Sequence, residues 1–341
     1  MITLDGSQGE GGGQIVRTAL ALSMLTQQPF QIINIRSGRQ NPGLKTQHIA
    51  CIDALEAIST SRAEHKGIGA AELTFYPGKI TTHKHNIDIG TAGSITLVLQ
   101  SLLLPLAFAS KKSKLTLIGG TDVPNSMPID YFTNVLTPAL APWANITTKL
   151  LQRGYMPEGQ GMVELTLTPR EKPLAFIRDS FLPTVLIKGI SHASKNLEPR
   201  HVAERQAREA ELVLSKLHVP VQISSEYAPT PSTGSGITIW AVCGEDEHAI
   251  QLGASSLGNR KISAQQVGAH AAQNLIAAIH AGTPTDKHLA DNLISWLGVT
   301  GEGQIYVEEI TNHTHSAIQV TEQFLPVQFE ITSNYIRVHK K

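Results

Sequence analysis

The strongest constraint on this chain of 341 residues is a recurring segment: an apolar strand, a glycine turn, then an alanine- and leucine-rich helix. It is first met as Ile2-Thr3-Leu4, then Asp5-Gly6-Ser7-Gln8-Gly9-Glu10-Gly11-Gly12-Gly13-Gln14-Ile15-Val16-Arg17, then a helical pattern over 14–26. About 80 residues later the order returns as Ile87-Asp88-Ile89-Gly90-Thr91-Ala92-Gly93-Ser94 ahead of a helix over 95–109. A strand that ends in glycines before a helix leaves backbone N–H groups uncovered at the positive end of the helix dipole. That geometry suits a phosphate or a carboxylate. The first turn has neither G-x-x-x-x-G-K-S/T nor a G-x-G-x-x-G in register with its helix. Glu10 would repel a phosphate unless a metal ion lay between them. The stretch therefore reads either as a nucleotide–metal site, with Arg17 two turns on, or as a structural glycine turn.

The elements around these turns follow the order β-α-β-α-β-β. In the first copy, strands are expected over 2–4, 30–35, 71–76 and 86–89, helices over 14–26 and 45–58, and a polar loop over 36–43. The second copy, 87–168, has helices over 95–109 and 129–141, and further strands over 114–118, 146–151 and 162–168. A third is completed at the C-terminal end by helices over 289–297 and 313–323, a strand over 303–308 and a hairpin of 327–331 with 335–339. Between copies two and three the period breaks. That part carries strands over 184–190, 219–224 and 237–242 and helices over 200–217 and 264–280. The expected fold is therefore α+β: three repeated β-α-β-α-β-β units form a large domain over 1–183 and 281–341. A smaller α/β domain, 184–280, is inserted between the second and third units.

Charge narrows the function. Lys plus Arg and Asp plus Glu each number 28, so the formal net charge is zero and no broad basic face for nucleic acid is expected. Any nucleic acid would be gripped at one end by a local cluster. No apolar run reaches the ~18 residues of a membrane span, and the chain does not open on a basic and then apolar leader. Two cysteines, Cys51 and Cys243, are too few for a disulfide framework or a zinc cluster, so a reducing cytoplasm is the expected location.

Beyond the repeat, specific residues carry a resemblance. They are Leu4-Asp5-Gly6, Gln8 to Ile15 and Arg17; Ile35-Arg36-Ser37-Gly38-Arg39; Pro42-Gly43-Leu44; and Gln47-His48. They continue with Gly93-Ser94, Leu97-Val98-Leu99-Gln100, Gly119-Gly120-Thr121-Asp122 and Pro124. Then follow Arg153-Gly154-Tyr155-Met156-Pro157-Glu158-Gly159-Gln160-Gly161, Arg200 to Arg205, Leu289-Ala290-Asp291 and Glu322-Gln323-Phe324-Leu325-Pro326. In this order and over nearly the whole chain, the sequence resembles the RNA 3′-terminal phosphate cyclases, with Gln160 in place of a signature glycine.

The resemblance implies a three-repeat domain with one insert. It also implies an enzyme of the ligase class that uses ATP and RNA bearing a 3′-phosphate. A histidine takes AMP covalently, AMP passes to the RNA phosphate, and the 2′-hydroxyl displaces it to close a 2′,3′-cyclic phosphate. Family register places the nucleophile at His313, with His315 as rival; the alternative is two ordinary surface histidines. Gln100 and the run His288-Leu289-Ala290-Asp291-Asn292 match the nucleotide contacts. Arg17, Arg36 and Arg39 are candidates for phosphate charge, with Gln47 and His48 beside phosphate or ribose. Glu10 is the candidate ligand for a divalent ion, Mg2+ or Mn2+. Asp122 and Thr121 read as a turn cap, Cys51 as core, and 153–161 as a glycine-shaped turn. Two other functions fit such repeats: a non-catalytic relative acting in ribosome assembly, and an enolpyruvyl transferase.

Overall fold

The structure, a computed structural model, describes residues 1–8, 12–90, 92–172, 174, 176–245 and 249–341. The first unit is β1 (Ile2–Asp5), α1 (Gly13–Thr26), β2 (Phe30–Ile33), α2 (Thr46–Ile58), β3 (Arg62–Glu64) and β4 (Leu73–Tyr76). β1 runs parallel to β2, β2 antiparallel to β4, and β4 antiparallel to β3. The second unit is β5 (Lys84–Asp88), α3 (Ile95–Ala107), β6 (Ser113–Gly119), α4 (Ile129–Tyr131), a π turn (Phe132–Leu136), α5 (Thr137–Ala139), β7 (Ala144–Gln152) and β8 (Gly161–Pro169). The π turn precedes Pro138, which has no N–H to donate and whose ring crowds the carbonyl four residues back; the helix widens there.

The third unit opens with β9 (Phe176–Arg178), and the chain then departs. It builds β10 (Thr184–Ser194), α6 (Val202–Leu214), β11 (Val221–Ala228), β12 (Ser235–Cys243), β13 (Ile250–Leu257) and α7 (Ala264–His280). It returns as α8 (Lys287–Thr300), β14 (Glu302–Tyr306), α9 (Asn312–Phe324), β15 (Val327–Ile331) and β16 (Tyr335–Lys340). Sheet orders β1-β2-β4-β3, β5-β6-β8-β7 and β9-β14-β16-β15 place each unit's strands as first, second, fourth, third. The expected repeat is present in topology as well as in order. The segment after β9 differs, with its own first strand in the interior of a sheet ordered β11-β10-β12-β13.

Three details depart from the sequence reading. Residues 86–89 belong to the second unit alone, because β5 pairs with β6; the first unit's missing strand is β3. Arg62-Ala63-Glu64 has no apolar alternation to reveal it. The third unit's first strand is β9, which pairs with β14, so the excursion begins inside that unit. β13 went unread because Gly253 and two serines dilute its apolar pattern.

One apolar core runs through all three units, and a second lies between α6, α7 and the β10–β13 sheet. Aromatic contacts join the units. Phe30 sits 5.7 Å from Phe75 and 5.9 Å from Phe324, and fully buried Trp143 lies 4.9 Å from Phe176 and 5.5 Å from Trp296. Trp143 also donates its indole N–H to Thr300 at 2.8 Å, so its one polar atom is satisfied. Truncating such a side chain costs roughly 3–5 kcal/mol. Cys51 is in this core, as expected, and Cys243 is buried too. Among the described residues, no helix is long and apolar enough to cross a membrane.

Candidate active site

The repeat points several helix N-termini at one cleft of about 1160 Å³. Gly12, Gly13 and Gln14 line it from α1, Thr46, Gln47 and His48 from α2, Ser94 from the cap of α3, and His313 from α9. Each N-terminus carries about half a positive charge, so their convergence favours an anion before any side chain is counted. α1 has no side-chain cap: its N-cap is Gly12, in extended conformation at the cleft wall. A Cβ on Gly13 would lie 2.1 Å from His48 Nε2, so any larger residue there must displace that ring. A second pocket of about 450 Å³ opens off the cleft. The two share Gln14, Arg17, Leu97, Asn125, Ser126 and His313.

Two of the expected phosphate contacts are held by their neighbours. Gln47 uses both ends of its amide on the Ser94 backbone, accepting from its N–H at 2.6 Å and donating to its carbonyl at 3.1 Å. It clamps the first unit to the second at the cleft wall. His48 Nδ1 accepts the Lys45 N–H at 2.9 Å, which puts the proton of the neutral ring on Nε2, against Gly13. Burial, with Arg17, Arg36 and Lys45 around it, pushes His48 down to about 3. It is therefore a neutral donor over any ordinary pH.

Arg17 stands where cleft and pocket meet. Its Nε–H donates to Gln100 Oε1 at 2.8 Å; Gln100 donates to Asn292 at 2.8 Å; Asn292 donates to Asp291 at 2.9 Å. Burial lowers the pKa of Arg17, and burial together with nearby Arg39 lowers that of Arg36. The Nε of Arg36 is buried without a hydrogen-bond partner. Cations crowded against desolvation and one another gain from an incoming anion. Arg39 and Lys45 line the same cleft.

Along α8 the expected run divides by helical phase. Asp291 and Asn292 face the second pocket and exposed His288 lies at its edge, whereas Leu289 and Ala290 are fully buried in the core. Burial raises Asp291 to about 6, against opposing effects from His313, Gln14, Arg17 and Asn292. On α9, His313 lines both cavities while His315, two residues on and so on another face, is exposed and lines neither. Glu10 lies outside the described residues.

A second charged cluster was not legible as such. Arg153, 2% exposed, donates to Asp122 at 3.1 Å, Asp130 at 2.8 Å and Glu226 at 2.7 Å. His192 of β10 places Nε2 3.4 Å from Asp122 and shares Nδ1 with the Tyr155 hydroxyl at 2.8 Å. Asp122 is thus no turn cap: it is a buried ion-pair partner, and Thr121 donates to it at 2.7 Å. Burial works to raise Asp122, but His192 and Arg153 outweigh it and hold the carboxyl below its usual range; burial raises Asp130. Asp122, Asp130 and His192 offer ligand atoms within 4.8 Å of one another. The Arg153 guanidinium already bonds both carboxylates and stands as their cation. The signal available in sequence was Arg153 at the head of the 153–161 stretch.

Comparison with known proteins assigns the family. The family model described as RNA 3′-terminal phosphate cyclase matches residues 8–331. A Pyrococcus abyssi protein named RNA 3′-terminal phosphate cyclase is 44% identical over 332 residues, 97% of this chain and 95% of its own length. Proteins of the same name from Pyrococcus furiosus (43% over 332 residues, 97% and 95%) and Caldivirga maquilingensis (44% over 345 residues, 98% and 95%) agree. With a match of this extent, the chain belongs to the RNA 3′-terminal phosphate cyclase family.

Proposed function

We propose that this protein is an ATP-dependent enzyme that converts an RNA 3′-phosphate end to a 2′,3′-cyclic phosphate, releasing AMP and pyrophosphate. The observation that carries the reading is the position of His313 between a basic cleft and a smaller pocket of nucleoside size. The nucleoside of ATP occupies the smaller pocket, beside Gln100, His288, Asp291 and Asn292. Its phosphates reach the helix N-termini and Arg17. Above pH ~6 Asp291 stands as a carboxylate in the same pocket as His313, and a histidine nucleophile attacks through a ring nitrogen lone pair.

His313 attacks that phosphorus, the bond to the β-phosphate breaks, and pyrophosphate leaves. The RNA 3′-phosphate, held by Arg36 and Arg39, then attacks the same phosphorus and the histidine–phosphorus bond breaks. The product is an RNA(3′)pp(5′)A anhydride. The 2′-hydroxyl attacks the RNA phosphorus with loss of its proton, and AMP departs. Activation is required because a phosphomonoester oxygen is a poor leaving group. The adjacent 2′-hydroxyl gives ring closure a large effective concentration. His48, neutral, contributes an N–H without adding charge. A divalent ion, Mg2+ or Mn2+, with Glu10 as its protein ligand, supplies charge neutralisation at the ATP phosphates when bound.

We also propose the division into 1–183 with 281–341 and an inserted 184–280, on the strength of the two separate cores. A cytoplasmic location goes with it, given two buried free cysteines.

Incubation with α-labelled ATP and a divalent ion tests the chemistry. We expect an acid-labile label on the wild type and on His315→Ala, and a loss on the order of a thousandfold or more in His313→Ala. Chelation of the ion is expected to abolish it. An unlabelled wild type would favour the ribosome-assembly or enolpyruvyl-transfer alternatives; loss confined to His315→Ala would move the nucleophile.

A further inference from the structure

Most exposed large apolar side chains among the described residues lie away from the cleft; Met156, 54% exposed, is the one that lines it. It is held there firmly. Met156 and Pro157 form the tip of a short turn closed by a bridge between Tyr155 and Gly159, whose N–H donates to the Tyr155 carbonyl at 2.8 Å. On one side the Tyr155 ring stacks on His192, with centroids 5.8 Å apart, and a Cβ on Gly234 would lie 2.2 Å from that ring. On the other, the Glu158 N–H donates to Ser232 at 3.0 Å. The turn is therefore pinned to the excursion at both flanks while its apolar tip is left to water in the cleft.

We propose that Met156, with Pro157, is the platform on which the 3′-terminal nucleobase of the RNA stacks. This rests on the cyclase reading above and deepens it. A phosphate held among Arg36, Arg39 and Lys45 leaves a base that needs an apolar surface elsewhere in the same cleft, and these two residues supply it. A flat, sequence-tolerant contact of this kind accepts any base, because every base has a π-face. The thioether of Met is polarizable and suits an aromatic partner. A pinned tip loses little freedom on binding.

The test compares a 3′-phosphorylated oligoribonucleotide with the same oligonucleotide whose last sugar is abasic. Met156→Ala is expected to raise KM for the first by about fivefold to tenfold with kcat little altered, the lower end of what a base stacked on a side chain contributes. On the abasic RNA wild type and variant should have equal KM. Met156→Trp should restore or lower KM for the base-bearing RNA only. Labelling by ATP alone, read in parallel, reports that each variant is folded. A labelled, cyclising wild type with Met156→Ala at wild-type KM, or with the same loss on abasic RNA, overturns the platform alone. A wild type that neither takes label nor cyclises overturns the cyclase reading and the platform with it.

Discussion

The cleft and the Arg153 cluster are built from the same materials and end in opposite states. Both gather arginine, histidine and aspartate at junctions between units. Around Arg153 the guanidinium meets three carboxylates at hydrogen-bond distance; Asp122, Asp130 and His192 are buried with it, and Glu226 covers it from the solvent side. In the cleft, Arg17, Arg36, Arg39 and Lys45 face a space with helix N-termini behind them, and Asp291 is held at about 6 by burial. A closed cluster fixes geometry; an open one retains electrostatic work for a ligand. Charge by itself therefore does not mark the site, but charge left facing a cleft does.

Removing the central cation should break the closed cluster most severely. Arg153→Met leaves Asp122 and Asp130 buried without their counter-ion, and we expect a loss of roughly 3–5 kcal/mol of unfolding free energy, read from a denaturant midpoint. Arg17→Met should lose ATP labelling with a far smaller midpoint change. Equal midpoints for the two variants would erase the distinction. Gly13→Ala tests the cleft floor: its new methyl lands on His48 Nε2, and a destabilisation of ~1–3 kcal/mol with weakened labelling is expected.

A smaller effect separates activity from stability at Asp291. Its pKa is about 6 in the folded protein, so at pH 5 about a tenth is ionised, and labelling should fall about tenfold from its value near pH 7. The sign for stability is opposite. Because the folded state binds this proton more tightly than the unfolded state, ionising Asp291 lowers stability as pH rises from about 4 through 6. Asp291→Asn should remove that slope and flatten the labelling profile at a lower rate. The smallest expected effect is at His48. Held at about 3, it should add no inflexion between pH 5 and 8, and a profile that changed there in His48→Gln would show that the ring ionises.

Much of the fold was legible because its information is local. The strand–glycine–helix order and the turn after each strand are written in consecutive residues, so unit boundaries and helix starts could be read within a few positions. Elements without a periodic pattern, such as polar β3 and three-residue β9, were not. Within the site, helical phase sorted what register alone had grouped: it turned Leu289 and Ala290 inward and Asp291 outward, and it separated His313 from His315. Gln47 looked like a ligand contact and is bonded at both ends to Ser94. Asp122 looked like a cap and is an ion-pair partner of Arg153.

The sequence by itself determined the repeated order, the glycine at each close approach and the family to which the chain belongs. These depend on steric rules and motifs that act over a few residues. Only the tertiary structure decided which charges are neutralised and which face the cleft. That outcome depends on partners distant in sequence: His192 and Glu226 close the Arg153 cluster from the excursion, while α9, from the far end of the chain, brings His313 to the glycine floor of the first unit. A side chain's chemistry is local, but its burial and its counter-charges are supplied by the rest of the chain.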